Sequence, residues 1–170
     1  MNRRDFLGGT LVMGASVGLC APALAAAPEV GPVTGLPIPR FVSLKGNKGN
    51  ARRGPSLTQR IDWVFTRAGM PLKVTGEYDH WRRVEDKDGL GGWLHYTLIA
   101  GARTVVILSP MAKLHALPEE GAPVTAEAQQ NAIAHLFAAK PNWCRIGAQG
   151  DSGWIARKDI WGVLPNEVFG

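Results

Sequence analysis

Cysteine, histidine and charge are all scarce in this chain. There are two cysteines, Cys20 and Cys144, and four histidines, His80, His95, His115 and His135, with no i, i+4 pair and no Cys-x-x-Cys companion. That set lacks the spacing of a zinc site, and scattered surface histidines are expected instead. Only 19% of the 170 residues are charged, too few for a disordered chain when 45% are hydrophobic. No stretch reaches the ~18 consecutive apolar residues of a membrane span. No glycine-rich phosphate loop or dinucleotide fingerprint occurs, so no cofactor is expected. What is plentiful is punctuation. Gly and Pro together supply 21 + 12 = 33 residues, which favours short strands and turns over long helices.

The first 25 residues have the character of an export signal. Arg3 and Arg4 precede Phe6-Leu7 and a Gly-rich, moderately apolar run to Leu19, and Ala23-Leu24-Ala25 forms a small-x-small cleavage site. The paired arginines resemble the twin-arginine type. Lipidation at Cys20 is disfavoured, because Leu19 fills the position where a small residue is wanted. Cleavage near Ala25 predicts a periplasmic protein that keeps only Cys144, so no internal disulfide is available to it. It carries 17 basic and 13 acidic residues, a net charge of +4. Arg52-Arg53 and Arg82-Arg83 are basic pairs, but an exported protein meets little nucleic acid; they are expected to be solvated faces.

Residues 26–39 are rich in Ala, Pro and Gly without periodicity and are expected to form a flexible leader. After them the chain repeats. Arg40 to Leu44 matches Arg103 to Ile107 at an offset of 63, as Pro55 matches Pro118. His80-Trp81-Arg82-Arg83-Val84 matches Asn142-Trp143-Cys144-Arg145-Ile146 at 62, and Gly92-Trp93-Leu94 matches Gly153-Trp154-Ile155 at 61. Four matches in one order mark a duplicated unit, with domain one over 40–101 and domain two over 102–170. The local signals are strands: short β-branched runs, alternation over Leu72 to Thr75, and a turn at Asp86-Lys87-Asp88-Gly89 closing a hairpin. Thr125 to Gln130 has helix-favouring composition and is expected as loop or helical turn, with strand from Ala132 to Phe137. Only Gly101-Ala102 separates the units, so they should pack together, with Trp161 filling the seam.

Asn50-Ala51-Arg52-Arg53-Gly54-Pro55-Ser56 resembles the N-x-R-x-G-P-S signature of bacterial SH3 (SH3b) domains. Trp81-Arg82-Arg83-Val84 and Gly92-Trp93-Leu94-His95 are similar to that family's W-x-x-V and G-W-V-H elements. Unit two keeps the Trp143 and Trp154 elements, but its signature loop, Lys113 to Pro118, keeps only the proline, so this copy is degenerate. The resemblance implies an all-β chain of two tandem small SH3-like β-barrels packed together, of the exported tandem-SH3b kind found in alphaproteobacteria. In the loop, Gly54 is expected to supply an unusual backbone conformation and Asn50 to bond backbone groups.

No catalytic set is apparent. Wall-peptide hydrolysis needs a cysteine nucleophile with an activating histidine, and Cys144 sits on a strand with no histidine nearby in sequence. The resemblance implies a non-enzymatic recognition module for a peptidoglycan peptide or an envelope protein. The alternative is an accessory subunit of an envelope enzyme. Candidate ligand-binding residues are Arg52, Trp63, Tyr78, Trp81, His95 and Tyr96 in unit one, with Asp79 at the edge, and Trp143 in unit two. Aromatic faces there would stack on the ligand while a charge fixes its orientation. Arg52 has a second reading, as a structural residue bonding loop carbonyls. Trp93 and Trp154, following glycines within strands, are expected in the core.

Overall fold

The computed structural model describes residues 29–170, so the export signal expected over 1–25 lies outside the described residues. Among the described residues there is no α-helix, and no helix is long and apolar enough to cross a membrane. A two-stranded hairpin, β1 (Glu29–Val30) with β2 (Pro37–Ile38), precedes the first unit. Unit one contains β3 (Arg40–Leu44), β4 (Gly49–Arg52), β5 (Ile61–Phe65), β6 (Pro71–Tyr78), β7 (Trp81–Glu85), β8 (Gly91–His95) and β9 (Ile99–Ala100). Unit two contains β10 (Thr104–Ile107), β11 (Met111–His115), β12 (Val124–Gln129), β13 (Ile133–Ala139), β14 (Trp143–Ala148), β15 (Asp151–Ala156) and β16 (Ile160–Trp161).

The duplication read from the sequence holds strand by strand. Unit one runs β5-β4-β8-β7-β6-β3-β9, and unit two runs β12-β11-β15-β14-β13-β10-β16, the same order throughout. A 3-10 turn precedes the last strand of each, at Tyr96–Leu98 and Arg157–Asp159. Irregularities recur too: the register shifts at Ala51/Arg52 and at Leu114/His115, and again at Val74/Gly76 and at Leu136/Ala138. A bulge increases local twist, which is how a short sheet curls into a small barrel.

Each barrel has its own core. Val42, Leu44, Ala51, Phe65, Leu72, Val74, Val84 and Leu94 fill the first. The second is built from Val105, Ile107, Leu114, Leu136, Cys144, Ile146, Ile155 and Ile160 with several alanines. Each such aliphatic side chain contributes roughly 1.5–3 kcal/mol when fully buried. Trp161 sits at the seam as expected, its ring 4.9 Å from that of Phe41 at 86°, the edge-to-face geometry favoured by ring quadrupoles. The Arg103 guanidinium lies 5.9 Å from the Phe41 centroid, and Arg67 of unit one donates to the Asn131 carbonyl of unit two at 2.7 Å.

Four expectations need correction. The expected flexible leader is, from residue 29, the β1–β2 hairpin, with Ile38 buried. It is held by a carboxylate far away in sequence: Glu77 accepts from the backbone N–H of Val33 (3.1 Å) and Thr34 (2.9 Å) and from the Thr34 hydroxyl (2.6 Å). Gly31 packs so tightly on that carboxylate that a Cβ there would lie 2.3 Å from it. Second, Thr125 to Gln129 is strand: Ala126 and Ala128 turn inward while Thr125, Glu127 and Gln129 face out, so pairing with β11 overrides helix propensity. Third, Trp93 and Trp154 are half-buried and outside the core; Leu94 and Ile155 take the inward position, and alternation turns the indoles to the other face. Lys140 lies over the Trp154 ring at 4.8 Å. Fourth, Arg82 is no solvated residue of a basic face. It is buried, donates to the carbonyls of Asp79 and Trp81 at 2.8 Å each, and lies 3.5 Å from Glu77.

Candidate functional site

The β7–β8 hairpin builds an aromatic face on unit one. Register pairs Trp81 with His95 and Tyr78 with Trp81. The Trp81 and His95 rings meet edge to face at 5.5 Å, His95 lies 4.9 Å from Tyr96, and His80 is 5.6 Å from Tyr96 and 5.9 Å from His95. The histidines are therefore not all scattered. Strand pairing brings two of them together although they stand fifteen positions apart in sequence. His80 is the member of this cluster absent from the predicted site. Trp81 itself is only 8% exposed, so His95 and Tyr96 form the accessible surface with His80. Tyr78 is exposed beside the turn.

That turn is fixed from below. Asp79 adopts a φ of 45°, a left-handed conformation costly for most side chains but tolerated by aspartate. Arg82 holds the Asp79 carbonyl, and the Glu77 side chain, wholly buried, sits between Arg40 (2.7 Å) and Arg82. Burial alone would push the Glu77 carboxyl up, but the bonds from Thr34, Arg40 and Val33 outweigh it and hold the pKa at about 2.

Two residues expected at this site are elsewhere. Trp63 lies on the edge strand β5 opposite Ala51 and is not among the stacked rings. Arg52 takes the structural reading, donating from Nη1 to the Gln59 carbonyl at 2.7 Å and so pinning the signature loop. The rest of that loop is fastened by Arg53 and Arg60, both paired with Asp62. Gly54 has no left-handed φ; it gives room to Gln59, whose side chain would lie 3.1 Å from a Cβ there. Asn50 bonds no backbone group through Oδ1, which is buried without a partner.

Unit two presents a different surface at the corresponding place. Trp143 pairs with Ala156 where Trp81 pairs with His95. Losing the imidazole uncovers the indole on that side, while His115 meets Trp143 edge to face at 5.5 Å on another. Two concavities of about 710 and 440 Å3 meet over Trp143 and share Glu120, Ala156 and Lys158. Glu119 and Glu120, in the loop that replaces the SH3b signature, line the first together with Lys158, and Lys113 and Asp159 line the second. Arg157, next to Lys158, is committed to structure: it donates to the carbonyls of Leu164, Pro165, Lys140 and Glu167. Sequence reasoning named Trp143 but missed Glu119, Glu120 and Lys158. The available signal was the acidic pair after Pro118.

Cys144 is fully buried in the second core, and that burial pushes its thiol up, away from the thiolate a nucleophile requires. Among the described residues, no group of three or more His, Cys, Asp or Glu converges on a metal position.

Two small antiparallel barrels with bulged strands, a long loop after the second barrel strand and a 3-10 turn before the last define a tandem SH3-like protein. The chain matches the family of the bacterial SH3 domain twice, over residues 45–101 and 109–162. It belongs to that family. No curated protein matches it. Among solved structures it is similar to NlpC2 of Trichomonas vaginalis, at 13% identity over 72% of this chain and 48% of that one, with a TM-score of 0.34. NlpC1 of the same organism is similar at 12% identity over 77% and 48%, also with a TM-score of 0.34. The chain spans about half the length of these two proteins.

Proposed function

We propose that this protein is a periplasmic, non-enzymatic binding module that recognises a peptidoglycan peptide across the groove over Trp143, with the His80–His95–Tyr96 face of unit one as a second contact. The observation that carries this reading is the groove itself: a half-buried indole floor lined by the carboxylates of Glu119 and Glu120 and the ammonium of Lys158, with Lys113 and Asp159 in the second concavity. Wall peptides carry both free amines and carboxylates on short aliphatic side chains. Amines suit the acidic wall, carboxylates suit Lys158, and the aliphatic parts lie on the ring. Family membership supports a recognition role, and the buried Cys144 argues against thiol chemistry.

The test is co-sedimentation of the protein with purified peptidoglycan sacculi. Truncating a central aromatic contact costs about 2 kcal/mol, so Trp143→Ala should weaken binding about 30-fold while circular dichroism is unchanged. Absence of binding by the wild-type protein at physiological salt would refute wall recognition. It would transfer the groove to an envelope protein partner, sought by crosslinking.

A further inference from the structure

The two units also differ in what fills the core. In unit one Phe65 pairs with Gly49, and its ring is buried to 1% exposure in the same core as the buried Leu72. The corresponding positions in unit two are both alanine. Ala128 pairs with Ala112 as Phe65 pairs with Gly49, and Ala134 pairs with Val105 as Leu72 pairs with Val42. Ala112 and Leu114, replacing Gly49 and Ala51, restore only part of the lost volume. The result is a cleft of about 680 Å3 floored by Ile107, Leu114 and Ile146 and flanked by the alanines. Its far wall belongs to unit one, at Asn47 and Thr66 to Ala68.

Two further features describe what would fit. β12, which borders the cleft, is the end strand of its sheet, so its outer backbone edge has no neighbouring strand. At the rim stand Glu127 and Asp151, neither in an ion pair among the described residues, although Lys113 stands opposite Glu127 in the ladder. Arg67, the cation at the mouth, is already donating to Asn131.

We infer that this cleft is a second binding site, taking an extended segment of a partner protein that presents a phenylalanine-sized side chain flanked by lysine or arginine. Such a segment adds along the free edge of β12 by strand pairing. Its ring enters where unit one supplies its own Phe65, and its cations meet Glu127 and Asp151. The site shares no lining residue with the groove over Trp143 and does not depend on what that groove binds.

The probe is a lysine–phenylalanine–lysine tripeptide, capped at both ends, titrated into the full chain and followed by NMR. Burying the ring should make it bind about tenfold or more tightly than the same peptide with alanine in the middle. Ala128→Phe, which puts the unit-one side chain back, should remove that preference while raising the unfolding temperature. The double variant Glu127→Gln with Asp151→Asn changes only surface charge. It should weaken the peptide several-fold with the fold intact, and it serves as the decisive variant if Ala128→Phe does not fold. Trp143→Ala should leave the titration unchanged, which separates this site from the wall-peptide groove. Equal binding of the alanine and phenylalanine peptides overturns the inference, as does a phenylalanine preference that survives in folded Ala128→Phe.

Discussion

Replacing Glu77 with glutamine removes the charge on which the N-terminal hairpin, Arg40 and Arg82 all converge, while keeping the shape of the side chain. A carboxyl drawn from its ordinary 4.5 to about 2 by its native contacts is linked to folding stability on the order of 3 kcal/mol. Because the folded value is the lower one, that contribution is fully present above pH 4.5 and is lost as pH falls through about 2. The amide retains some of the bonds but leaves Arg40 and Arg82 without their counter-charge, so the expected loss at pH 7 is about 2–3 kcal/mol. For a protein of this size that lowers Tm by about 5–12 °C. Tryptophan fluorescence followed against temperature, from pH 7 down to pH 2, reads this directly. The gap between wild type and Glu77→Gln should stay constant to about pH 5, narrow below 4.5 and close near 2. A variant that melts with the wild type at pH 7, or a gap that widens in acid, would refute the argument that this carboxylate fastens the hairpin to the barrel.

Trp161→Ala should cost about 1–3 kcal/mol in urea unfolding, because it deletes the ring packed on Phe41 at the seam; a loss below a few tenths would show that the seam contributes nothing. Arg52→Ala should lower stability by about 1 kcal/mol through the lost bond to the Gln59 carbonyl, and leave sacculus binding unchanged if its role is to hold the loop. Burial pushes the Cys144 thiol up and hides it, so a thiol-reactive dye should label this residue only at the rate of unfolding. Prompt labelling of the native protein at pH 8 would contradict the packing described for β14.

The duplicated unit, the hairpin at Trp81 and Trp93 and the seam at Trp161 were all legible in the sequence, because each is written in local pattern or in spacing that the two copies share. The drift of the repeat from 63 to 61 leaves the sheet order and both bulges in place. What escaped depends on partners distant in sequence. Residues 29–38 read as leader since nothing near them in the chain shows that Glu77, more than forty residues on, collects their N–H groups. The alanines of β12 read as helix or loop since their strand character comes from pairing with β11. Parity placed Leu94 and Ile155 inside, and a preceding glycine was a poorer guide to Trp93 and Trp154 than that alternation. The groove over Trp143 was hidden for a third reason. It arises from Ala156 standing where unit one has His95, a difference that matters only once the hairpin register is known.

The units are joined by the chain at Gly101-Ala102 and again across the seam, where Phe41 of the first barrel strand meets Trp161 of the last and Arg67 bonds the Asn131 carbonyl. A single tether would let two recognition faces search independently, with an effective concentration set by linker length. A double attachment makes the pair a fixed gauge instead. Under the binding role proposed above, a polymer with regularly repeated ligands would be held at both faces only where its own repeat matches the spacing set by the seam. Binding strength would then report the periodicity of the target as well as its chemistry.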